Sequence, residues 1–120
     1  MNEADNLEFD SEAVARMRRL GGDDLVRKVS GLFIETGRLR MTDLRGGVAA
    51  ADLTAVARAV HSIRGSAGNV GALSVLQCAT EIEQAALGAR ADEMPALVAR
   101  LEVAMAAAEK HFGGDQPVKP

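Results

Sequence analysis

The chain has 120 residues, 48% of them hydrophobic and 26% charged, with a formal net charge of −3. That length suits one domain with a real core, and no apolar run approaches the ~20 residues that a bilayer span needs. A net negative charge argues mildly against nucleic acid, and the absence of Trp and Tyr removes the usual stacking platforms for single strands.

Residues 1–8 read as a loose polar tail, and the acidic start Met1-Asn2-Glu3-Ala4-Asp5 has no signal-peptide character, so a cytoplasmic protein is expected. Asp10 is placed to N-cap a short helix, with Phe9 stapling onto Val14 and an apolar edge of Val14, Met17 and Leu20. Gly21-Gly22 ends it. Asp23 then caps a long helix to about Ala50, whose inward positions read as Leu25, Val29, Leu32, Phe33, Thr36, Leu39, Leu44 and Val48, with Gly46-Gly47 a weak point near its end.

Asp52 caps the next helix, in which Leu53, Val56, Val60, Ile63, Ala67 and Val70 recur at helical spacing and face inward. Asn69 and Gly71 make a tight connection, so the following helix runs back beside it with Val75, Cys78, Ile82 and Ala85 or Ala86 inward. Cys78, the single cysteine, excludes an internal disulfide, lacks neighbouring zinc ligands, and reads as a small core residue. Gly88 ends this helix. Asp92 caps the last one, with Pro95 tolerated in its first turn and Leu97, Leu101, Met105 and Ala108 on its buried edge, while Ala104 allows close approach. Residues 113–120 read as a frayed tail. The expected architecture is all-α: an antiparallel four-helix bundle over residues 9–112 with a short additional N-terminal helix.

A second stripe runs along the helix that Asp52 caps. His61, Arg64, Gly65 and Gly68 sit at i, i+3, i+4 and i+7, off the apolar face. Each interior glycine costs about 0.5–1 kcal/mol relative to Ala, so their purpose reads as clearing the helix surface beside His61 for a bulky partner; the alternative purpose is close helix–helix packing. Arg64 puts a cation where an oxyanion on the imidazole would hang, or else serves as a plain solubilising charge. Folding the hairpin about Gly71 brings Glu83 level with His61, where its carboxylate can accept from one ring nitrogen and fix the tautomer; the alternative is an ordinary surface carboxylate.

The segment His61-Ser62-Ile63-Arg64-Gly65-Ser66-Ala67-Gly68-Asn69-Val70-Gly71-Ala72 resembles the phosphorylation segment of histidine-containing phosphotransfer (HPt) domains, with the pattern His-x-x-Lys-Gly-[Ser/Ala], small residues and a further glycine, and then a helix like that holding Glu81-Ile82-Glu83. Arg64 stands where the family carries lysine. The resemblance implies a phosphorelay carrier: His61 takes a phosphoryl group from the aspartyl phosphate of a receiver domain and returns it to another, Arg64 stabilises the group, and Gly65, Ser66 and Gly68 form the receiver docking surface. The implied partners are response-regulator receivers and a hybrid sensor histidine kinase, and the carrier is expected to be a monomer.

A neutral imidazole, ordinary pKa near 6.5, has a free lone pair at pH 7 and can act as a nucleophile. No nucleotide-binding loop or kinase-type glycine loop is present, so the chain is expected to be a carrier and not an enzyme that uses ATP. It offers no acidic cluster beside His61, and the receiver is expected to bring Mg²⁺. Two rival readings remain. One is an unphosphorylated HPt-like module that inhibits or scaffolds a kinase or receiver. The other, a carboxylate-bridged metal bundle, needs Glu-x-x-His pairs that this chain lacks.

Overall fold

The computed structural model describes residues 8–113. All but Glu8 and Gly113 of the two expected tails lie outside the described residues, and Gly113 is the last residue of a helix. Among the described residues four helices follow one another: α1 (Ser11–Ala49), α2 (Leu53–Val70), α3 (Leu73–Leu87) and α4 (Met94–Gly113), with a 3₁₀ turn at Ala91–Glu93 before α4.

The expected short N-terminal helix is the first part of α1. At Gly22 the backbone turns to φ 72°, ψ −168°, which splits the hydrogen-bonded run into two helical pieces. Only glycine enters that region without steric cost, which is why the break falls there. Asp10 caps α1 by accepting from the Glu12 N–H at 3.1 Å, and Asp52 caps α2 by accepting from the Ala55 N–H at 3.1 Å. Asp23 is not seen capping the second piece; its carboxylate accepts from Arg18 Nε at 2.8 Å. Asp92 lies inside the 3₁₀ turn and not at an N-cap of α4.

Ion pairs and contacts establish the antiparallel order. Along α1, Arg40 reaches Ser62 and Gly47 meets Val56, so partners on α2 descend as α1 advances. The same holds between α1 and α4, where Arg38 bonds Glu109 and Arg45 bonds Glu102. The core runs the length of the bundle through the fully buried Leu44, Val56, Val60, Ile63, Val70, Val75, Ile82, Met94 and Leu101. Each such aliphatic side chain contributes about 1.5–3 kcal/mol through burial. At one end, Phe33 and Phe112 meet edge to face at 5.6 Å.

Three apolar residues expected inside are outside: Leu20, Leu32 and Leu39 are exposed. The buried stripe of α1 is instead Ala13, Met17, Ser30, Phe33, Gly37, Met41, Leu44 and Gly47. The reason is close approach. A Cβ on Gly47 would lie 3.0 Å from Val56 Cγ2 and 3.2 Å from the Val56 backbone nitrogen, and one on Gly37 would lie 2.4 Å from Met105 Cε. Glycines therefore take the points of closest approach on the inner face, and Leu32 and Leu39 are turned to solvent. The Gly46-Gly47 pair does not break the helix, which continues to Ala49. The Phe9 ring stacks on His111 at 3.8 Å and meets Phe112 edge-on at 5.7 Å.

The α2–α3 connection sets the register of the hairpin. Gly71 takes φ 77°, ψ 28°, and the N–H groups of Gly71 and Ala72 both donate to the Ala67 carbonyl, the arrangement by which a left-handed residue closes a helix end. A Cβ on Gly71 would sit 2.6 Å from the Asp10 carbonyl oxygen. The Asp10 N–H in turn donates to the Gly71 carbonyl at 2.8 Å, so the start of α1 clasps this turn.

Candidate functional site

His61 lies midway along α2, on the side away from Val60 and Ile63, and its side chain is 74% exposed. Its ring is anchored at one edge: Nδ1 lies 3.2 Å from Glu83 Oε2 on α3. The carboxylate is set more deeply, with its side chain 16% exposed. Its other oxygen, Oε1, accepts from Arg64 Nη1. One carboxylate thus joins the histidine and the cation that α2 carries one turn apart.

The charge state of Glu83 follows from these neighbours. Burial pushes its pKa up, but hydrogen bonds from Arg64 and His61, with the positive charge of Arg64, outweigh burial and hold it below the ordinary value of 4.5. An ionised carboxylate only accepts. The proton of a neutral His61 therefore sits on Nδ1, donated to Oε2, and the lone pair is left on Nε2 at the exposed edge. This arrangement can present a nucleophilic nitrogen to an incoming group while the opposite nitrogen stays hydrogen-bonded.

The surface around the ring is bare. Gly65 and Gly68 are exposed, and among the described residues a Cβ at either would meet nothing within 4 Å. The packing alternative for these two glycines is thereby excluded; that duty falls to Gly37 and Gly47. Ser66 is half-buried and its hydroxyl donates to the Ser62 carbonyl at 3.2 Å, so it is engaged within the helix. Glu81, two residues before Glu83, faces the other way and accepts from Arg100 of α4 at 2.8 Å.

The spacing of α2 placed His61, Arg64, Gly65 and Gly68 together, and the hairpin register placed Glu83. Sequence reasoning did not find the Arg64–Glu83 pair, although opposite charges at matching depths of a tight helical hairpin are a usable signal. It also missed Arg40, which extends from α1 to donate to Ser62 Oγ at 3.2 Å while pairing with Asp43. With Gly46 and Arg58 these residues line a groove of about 510 Å³ between α1 and α2. Among the described residues, no group of three His, Cys, Asp or Glu side chains is placed to hold a metal ion, and no helix is long and apolar enough to cross a membrane.

A family model described as Hpt domain matches residues 28–111, more than half of the chain. Among solved structures, the chain is similar to the crystal structure of histidine-containing phosphotransfer protein B (HptB) from Pseudomonas aeruginosa PAO1, with a TM-score of 0.85 over 90% of this chain and 93% of that one. Identity there is 22%, and the likeness is one of fold. No curated protein matches the sequence.

Proposed function

Since the chain belongs to the Hpt domain family, whose members pass phosphoryl groups by way of histidine in phosphorelays with receivers and kinases, we propose that His61 is the phosphoacceptor and that Nε2 is its reacting atom. The observation that carries this reading is the asymmetric imidazole, bonded to Glu83 through Nδ1 and open to solvent at its other edge.

In the forward step the Nε2 lone pair forms a bond to phosphorus while the P–O bond to a receiver aspartate breaks, and that carboxylate leaves with the electron pair. Positive charge then builds on the ring. Glu83 offsets it through the Nδ1–H bond, and Arg64 keeps the site from becoming anionic. In onward transfer the electron pair returns to Nε2, and the ring departs as neutral imidazole because Nδ1 has kept its proton. A group stored too stably would not leave again. One exposed histidine with a single balanced carboxylate suits a reversible carrier.

Gly65, Ser66 and Gly68 form the receiver docking surface, with the two glycines giving the partner backbone-level access. The receiver brings Mg²⁺, which supplies charge neutralisation on the phosphoryl oxygens. The carrier works as a cytoplasmic monomer, since its reacting face has to remain open, and it draws no phosphate from ATP itself.

The test is transfer from a phosphorylated receiver to the purified protein. The parent becomes labelled with an acid-labile, alkali-stable phosphate, and His61→Gln folds as the parent does and takes no label. Binding to the receiver without any labelling of the parent assigns the chain to the scaffold reading instead.

A further inference from the structure

We propose that the outward face of α1 is a second docking surface, which takes an amphipathic helix of a partner protein with an apolar seam and acidic flanks. The surface is separate from the reacting face and stands whether or not His61 is the phosphoacceptor.

The buried side of α1 is marked by Phe33, Gly37, Met41 and Leu44. At about 3.6 residues per turn, Lys28, Leu32, Glu35, Leu39 and Thr42 fall on the opposite side, stepping alternately by four and three positions. Leu32 and Leu39, seven residues apart, are 55% and 61% exposed. They border a shallow depression of about 780 Å³ whose lining comes from α1 alone. Beside Leu32, a Cβ on Gly31 would meet nothing within 4 Å among the described residues, so a neighbouring helix can come close to the backbone there. Single exposed leucines are ordinary on protein surfaces, but two at this spacing, with polar residues between, form the kind of seam on which a second helix packs. From Lys28 to Thr42 the stripe runs about 20 Å, the span of a helix of about 14 residues.

Charge selects the partner. α1 holds eight of the chain's 14 Lys and Arg residues and five of its 17 Asp and Glu, a balance of +3 in a chain of −3 overall. Arg27, Lys28 and Arg38 border the stripe, and Glu35 is the one acid in its lining among the described residues. Arg27 pairs with Asp24 and Arg38 with Glu109, but both arginine side chains stay more than half exposed and keep donors for a further carboxylate. An acidic helix is therefore complementary, whereas a second copy of this chain would set one basic helix against another. An anionic bilayer fits less well: Glu35 and Thr42 interrupt the stripe and it carries no aromatic residue, while helices lying in a membrane interface present a broad apolar face.

His61 is held against α3, and the stripe lies opposite the side of α1 that packs on its neighbours. A protein bearing such a helix would hold the carrier with His61 still open, and so raise its local concentration near its exchange partners.

The experiment titrates the ¹⁵N-labelled full chain with a synthetic amphipathic peptide of about 18 residues, Leu along its seam and Glu on its flanks, and with a Lys-flanked version. Backbone shifts should concentrate between Lys28 and Thr42. Leu32→Ser with Leu39→Ser should weaken binding of the Glu-flanked peptide by about tenfold or more, and Lys28→Glu by about fivefold with a gain for the Lys-flanked peptide. These variants change exposed side chains, so their thermal transitions should match the parent's, and the leucine variant should take phosphate from a receiver at the parent rate. Shifts centred on His61, unchanged affinity in the leucine variant, or no binding up to about 1 mM overturns the proposal. Loss of receiver-dependent transfer in the leucine variant assigns the stripe to receiver docking and overturns it as a separate surface. Co-sedimentation with phosphatidylglycerol vesicles, or a dimer in sedimentation equilibrium, that the leucine variant abolishes overturns the acidic helix as occupant in favour of a membrane or a second copy.

Discussion

Two pairs of glycines in the same bundle, one buried and one exposed, do opposite things. Gly37 and Gly47 of α1 are buried where helices touch, and a side chain at either would collide with Met105 or Val56. Gly65 and Gly68 of α2 look into open space beside His61. In the first pair the missing side chain brings the protein closer to itself; in the second it leaves room for another molecule. A glycine in a helix is thus informative only together with the face it occupies, since the propensity cost of about 1 kcal/mol is the same on both sides.

The largest effect should come at the open face. His61→Gln should abolish acceptance of phosphate from a receiver while leaving the thermal transition in place, because the ring is solvent-exposed; a lowered Tm would mean that this face contributes to the fold after all. Next comes the direct contrast between the glycines. Gly47→Leu should cost about 3 kcal/mol or more in chemical denaturation, since the α2 backbone would have to move away. Gly68→Leu should hold or raise stability by up to about 0.8 kcal/mol, yet slow receiver-dependent transfer by about tenfold or more. If both substitutions destabilise alike, the distinction between the two faces is broken.

Acid sensitivity sharpens the picture at a smaller scale. Glu83 is held below its ordinary value of 4.5, so its ionised form stabilises the fold fully above that pH, and the contribution is lost as the pH falls through the lower folded value. The Tm difference between the parent and Glu83→Gln should be level near neutrality and close progressively below pH 4.5. One further effect, on stability alone, belongs to neither face. Ala89, after α3, adopts φ 57°, and Ala89→Gly should raise stability by about 1 kcal/mol in the same denaturation experiment by relieving a left-handed backbone.

The sequence made α2 legible because its inner face is written in aliphatic residues at regular spacing, and Val56, Val60, Ile63, Ala67 and Val70 are all buried. On α1 the same reasoning turned Leu32 and Leu39 inward, because hydrophobic periodicity carries no signal from Ser30, Gly37 or Gly47, which are the residues buried there. At the site, His61 and Glu83 could be paired from the two-residue turn between their helices, which fixes register. The bond from Arg64 to Glu83 could not be read the same way. A long side chain reaches several partners, and the choice between a bound oxyanion and a protein carboxylate is made by depth, which spacing does not encode.

The prominence of His61 bears on time as well as on access. If His61 carries the phosphoryl group as proposed, a ring that stands this far into water, beside two glycines, gives its cargo no shelter, so hydrolysis of the N–P bond proceeds at a pace set by the bond's own chemistry. On the proposed assignment the charged carrier is then a perishable message: it must meet its next recipient within that interval, or the signal decays unread. On that assignment the supply of receivers governs how much of the signal survives.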